Sequence, residues 1–171
     1  NETPFQRGLW ILMPRVETVV SGKMTILDFI DATTRHVATD GPKTNTIDFV
    51  LTIPKNASTT QKIPVVIFGH GLITSKDLVY GIADKLADHG YASFSIDLPT
   101  HGGRSLCRED AECKDSATCA ADGRCVFADG TEGRVLQISS PWESGPEVPI
   151  TSGKYFFEIE DPMGTRDSLL Q

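Results

Sequence analysis

The chain has 171 residues, 39% of them hydrophobic and 23% charged, a balance that can bury one core and excludes disorder as the overall state. Its 16 basic and 23 acidic residues leave a net charge of −7, the opposite of the footprint that phosphate neutralisation requires, so no nucleic-acid partner is expected. The longest unbroken apolar stretch, Leu9 to Pro14, falls far below the roughly 20 residues of a membrane-spanning helix, so no membrane span is expected.

Residues 1–62 read as β-rich. Val16 to Val20 and Lys23 to Phe29 are short runs around Ser21-Gly22, which reads as a turn. Thr46 to Ile53 alternates Ile47, Phe49, Leu51 and Ile53 with Thr46, Asp48, Val50 and Thr52, which predicts a sheet with one buried face. Polar connectors at Thr39–Thr44 and Lys55–Lys62 suit hairpin loops.

From residue 63 the pattern changes. Ile63 to Phe68 is a continuous apolar run, predicted to be a strand buried on both faces of a parallel sheet. Ser75 offers an N-cap and Asp77 an anion in the first turn. Leu78, Val79, Ile82, Ala83, Leu86 and Ala87 then recur at helical spacing until Gly90. Ala92 to Ile96 is a second short strand ending in Asp97. Strand, helix, strand is a βαβ unit, whose right-handed crossover makes the two strands parallel.

Regularity ends after Leu98. Cys107, Cys113, Cys119 and Cys125 are each separated by five residues, whereas zinc ligand pairs favour gaps of about two to four, so no metal is expected. The polar sequence around them has little core to hold it, which favours two disulfides, in any of three pairings, over a zinc site or free thiols. Disulfides imply an oxidising compartment.

Two loops carry the chemistry. Gly69-His70-Gly71-Leu72 leaves the first parallel strand and Asp97-Leu98-Pro99-Thr100-His101-Gly102-Gly103-Arg104-Ser105 leaves the second. Both lie at carboxyl ends of parallel strands, where open α/β sheets bind ligands. Together they resemble the α/β-hydrolase superfamily, in which one strand is followed by an HG loop and the next by a D-x-x-x-H-G segment. The resemblance covers residues 46–105 and 161–171. It implies an α/β fold: the N-terminal portion of an α/β-hydrolase, with a mixed, mostly parallel sheet, flanking helices and a disulfide-stapled insertion. By segment, it expects 1–45 as a β-rich N-terminal part, 46–104 as the first half of the core, and 105–160 as the cysteine-containing insertion, a lid. Residues 161–171 would start the next core helix, apparently cut short.

The same resemblance assigns Leu72 as a backbone donor of the oxyanion hole, with Gly71 giving clearance. His70, Asp97, His101 and Arg104 become loop-supporting residues. Pro64 to Leu72 and Thr165-Arg166-Asp167-Ser168 are similar to secreted or surface-attached bacterial lipases and esterases. This implies an ester or lipid substrate, no cofactor, and a secreted, periplasmic or outer-surface location. No G-x-S-x-G occurs in the sequence, so the serine, acid and histidine of a triad are expected in the remainder of a longer polypeptide. Trp142, Tyr155, Phe156 and Phe157 are candidate acyl-facing residues, with packing of the insertion as the plainer role. The alternative is a non-catalytic extracellular binding protein on the same scaffold.

Overall fold

The computed structural model describes residues 13–31, 34, 36–72, 74–133 and 135. Trp142, Tyr155, Phe156, Phe157 and the 161–171 segment lie outside them. Its main sheet is four-stranded, in the order β1-β2-β4-β3, from β1 (Val16–Asp28), β2 (Lys43–Pro54), β3 (Val65–Phe68) and β4 (Ala92–Ile96). The chain is therefore α/β, with a mixed sheet. Among the described strands the expected parallel majority is not met. The long β1–β2 hairpin is antiparallel and joins β4 antiparallel, leaving β3 and β4 as the parallel pair.

The expected turn at Ser21-Gly22 is not there, because β1 runs through it without a break. Gly22 is paired with Phe49, and a Cβ at Gly22 would come within 2.9 Å of the Phe49 ring. Glycine at this position makes room for an aromatic ring, a use of strand glycine that the Ser-Gly dipeptide conceals.

One helix, α1 (Tyr80–Asp88), joins β3 to β4, and it is preceded by a 3-10 turn at Lys76–Val79. Ser75 caps that turn as expected, its side chain accepting from the Asp77 N–H. Gly90, at φ +79°, ends α1. The Gly90 N–H donates to Ala87 O and the Tyr91 N–H to Leu86 O, each at 3.0 Å. These two bonds form a Schellman stop, which glycine reaches without Cβ strain. The small residues Ala83 and Ala87 let the helix sit close on Met13, Val16 and Val19.

The face of the sheet toward α1 carries Val50, Thr52, Ser93 and Ser95, all buried. Thr52 and Ser93 join their hydroxyls at 2.5 Å, which keeps both polar groups satisfied. The buried face of β2 from Val50 onward is thus the Val50, Thr52, Pro54 face, while Phe49, Leu51 and Ile53 are half-buried. Nor is β3 buried on both faces, since Val65 is 50% and Ile67 79% exposed. Among the described residues β3 is an edge strand and α1 covers the opposite face, so its continuous apolar run meets a partner on one side.

Beyond β4 the chain forms a small module. Its β5 (Thr118–Cys119) and β6 (Cys125–Val126) make a two-residue ladder. Disulfides join Cys107 to Cys119 and Cys113 to Cys125, so the expectation of two disulfides is met, with interleaved pairing. The bridges pack with Ala117, Val135 and Phe127 into a miniature core. Asp110 Oδ1 accepts from the Cys119 N–H at 2.7 Å and Glu112 Oε2 from the Arg108 N–H at 2.7 Å. Side chains thereby satisfy backbone donors that a longer ladder would otherwise pair. The sulfurs of Cys107, Cys113 and Cys125 lie within 4.8 Å of one another, but in disulfides they have no thiolate to offer a metal.

Candidate functional site

Because β3 and β4 run parallel and adjacent, the loops that leave them, with described residues 69–72, 74–75 and 97–105, lie side by side at one rim of the sheet. The residues picked from the sequence meet there. His70, Asp97, Thr100 and His101 are all buried, and the His70 and His101 rings lie 5.0 Å apart, tilted by 59°.

The hub is Asp97, whose side chain is 2% exposed. Its Oδ1 accepts the Lys76 N–H at 2.7 Å, and its Oδ2 accepts the Lys76 ammonium at 3.0 Å and the Gly103 N–H at 2.9 Å. One carboxylate thus ties the start of the helical segment to the loop after β4. Burial is the largest single influence on the Lys76 pKa and would lower it, but Asp97, Asp77 and Asp48 together outweigh it and leave the ammonium raised. Arg104 donates to the Asp97 backbone carbonyl at 3.2 Å and approaches Asp28 at 3.8 Å, extending the network to the end of β1. Burial lowers the Arg104 pKa, with Asp28 and Asp97 opposing it.

Gly102 is required by this arrangement. It sits at φ +51°, and a Cβ there would collide with the Asp97 carboxylate. Thr100 is also left-handed, at φ +61°. That conformation costs a non-glycine residue about 1 kcal/mol or more, and such strain gathers at functional sites.

His70 is locked on both ring nitrogens. The Leu98 N–H donates to Nε2 at 3.0 Å, so Nδ1 must carry the proton of the neutral ring, and it donates to Gly71 O at 2.9 Å. His101 Nδ1 makes the corresponding bond to Pro99 O at 2.8 Å. Burial pulls the His101 pKa down, and the neighbouring His70 adds to this while the Pro99 carbonyl and Asp97 oppose it. Each imidazole is thus bonded through Nδ1 to a carbonyl of its own loop.

Gly69 and Gly71 behave differently from Gly102. Neither has a left-handed φ, and a Cβ at either would meet nothing within 4 Å. Neither backbone conformation requires glycine, and the missing side chains leave open space at the rim. Leu72 follows, 50% exposed, and its N–H has no acceptor among the described residues.

Sequence reasoning missed Thr74, Lys76, Thr100 and Asp28. Lys76 did leave a signal, because a cation in the first turn opposes the helix dipole and is favoured only where an anion compensates it.

No family model and no curated protein matches this chain. Among solved structures it is similar to a PEG-bound complex of a novel cold-adapted esterase from an Arctic intertidal metagenomic library. The identity is 23% over 48% of this chain, with a TM-score of 0.30. This chain spans 30% of that esterase's length.

Proposed function

We propose that these residues are the N-terminal part of a secreted serine hydrolase of the α/β-hydrolase kind, acting on carboxylic esters. Leu72 N–H supplies one donor of the oxyanion hole. The observation that carries this reading is the Leu72 amide itself, an N–H with no acceptor among the described residues, on an exposed rim beside a glycine whose Cβ position is open. In acyl transfer a negative charge develops on the carbonyl oxygen, and a preorganised donor aimed at that oxygen lowers the barrier without reorganising. The buried Asp97, Lys76, His70 and His101 network supplies the rigidity such a donor requires. The nucleophile, acid and histidine are assigned to sequence outside these 171 residues, since no G-x-S-x-G lies within them. The disulfide module after the rim serves as a lid or substrate-selecting wall, and its crosslinks suit an extracellular setting.

The test is turnover of a short-chain p-nitrophenyl ester by the gene product that carries this chain, in wild type and in Leu72→Pro. Proline removes the N–H, so kcat is expected to fall by about 100-fold or more, while the unfolding midpoint shifts little at this exposed position. A wild-type protein that folds yet neither turns over esters nor reacts with a fluorophosphonate would instead be a binding protein on this scaffold.

A further inference from the structure

The peptide unit between Gly71 and Leu72 is held from its other end. Gly71 O accepts the Thr74 hydroxyl at 2.6 Å and His70 Nδ1–H at 2.9 Å, and the two donors lie 3.3 Å from each other. His70 cannot turn away, because its Nε2 accepts the Leu98 N–H at 3.0 Å and its ring lies against His101. A peptide unit is planar and trans, so its N–H points opposite to its C=O. Fixing the Gly71 oxygen therefore fixes the direction of the Leu72 N–H. Two donors on one carbonyl also draw electron density from the amide, which makes its N–H a stronger donor.

The geometry points to Thr74 and His70 as positioning residues that aim and polarise the Leu72 N–H through the carbonyl of the same peptide. This inference rests on the oxyanion role of Leu72 and adds how that donor is set. Thr74 touches no substrate in this scheme and acts on the Leu72 N–H through Gly71 O. The bland role for its hydroxyl is to tighten the loop before the Ser75 cap, since an i to i−3 bond of this kind is common in turns. That role alone would not discriminate between ground state and transition state.

The experiment compares Thr74→Val, which keeps the shape and loses the hydroxyl, with Thr74→Ser, which keeps it, in the ester-hydrolysing gene product. Thr74→Val is expected to lower kcat by about tenfold and weaken an alkylboronic acid transition-state analogue by a similar factor, with KM unchanged. Thr74→Ser is expected to restore both. Equal kcat in all three proteins overturns the assignment, as does a loss in Thr74→Val that Thr74→Ser shares. Amide NMR separates this inference from the reading beneath it. Whether or not the protein hydrolyses esters, Thr74→Val must move the Leu72 amide resonance and leave that of Cys119 in place. A Leu72 resonance that does not move removes the clamp even in an active enzyme. Moved resonances in an inactive protein would sustain the clamp and remove the esterase reading.

Discussion

Two loop regions follow the βαβ unit's strands, and each holds its shape without an apolar core of ordinary size. At the rim, Lys76 and Gly103 converge on one buried carboxylate, Asp97, which gathers two backbone N–H groups and an ammonium. In the following module, residues 107–125, two interleaved disulfides do that task. The solutions differ in what they permit. A disulfide constrains the unfolded chain and tolerates solvent and polar surroundings. A buried carboxylate needs every oxygen satisfied, so it fixes donor positions closely but fails when one partner is lost. Under the proposed function, a donor presented to a reacting atom would benefit from the second device, and a lid would be adequately served by the first.

The sharpest way to break the comparison is Asp97→Ala. It strands the Lys76 ammonium, which is 15% exposed, and should cost about 3 to 5 kcal/mol, seen as a lower urea midpoint. Hydrogen exchange should show the loss at the Lys76 and Gly103 amides, while the amides of Ala120 and Gly133 keep their protection. Next in size, the double change Cys113→Ala with Cys125→Ala opens a short crosslinked loop. It should cost that module about 3 kcal/mol. The expected exchange pattern is the reverse, with Gly133 unprotected and Gly103 unaffected. Loss of protection in both regions from either change would mean that they fold as one unit.

The smallest effect is on pH dependence. The folded His101 has a pKa below its ordinary 6.5, so the unfolded imidazole takes up a proton that the folded one refuses. The stability from this group is complete above 6.5 and is lost as pH falls through the lower folded value. Urea midpoints measured at about pH 7.5 and about pH 5 should therefore drop more in wild type than in His101→Gln. The disulfide module contains no histidine, and exchange in its amides should not follow that titration.

Much of this was legible in the sequence wherever local chemistry decides. Ser75 and Gly90 bracket the helical segment as their capping chemistry requires, and the cysteines in a polar loop declare their crosslinks. The meeting of His70, Asp97, His101 and Arg104 follows from two parallel strands alone. Other features depend on partners distant in the chain. Gly22 reads as a turn until Phe49 is laid across it, and the apolar β3 reads as fully buried until its neighbours are known. Thr74 looks like an ordinary polar residue before a helix cap. Its hydroxyl gains meaning when Gly71 O and the His70 ring share its bond.

The most direct measurement is a crystal structure of the gene product after inactivation by an alkylphosphonate, whose phosphoryl oxygen mimics the oxyanion. The account predicts that oxygen at about 3 Å from the Leu72 nitrogen, with the Gly71 carbonyl still bonded to Thr74 and His70. A phosphonyl oxygen bound elsewhere, with the Leu72 N–H turned to water, would contradict it.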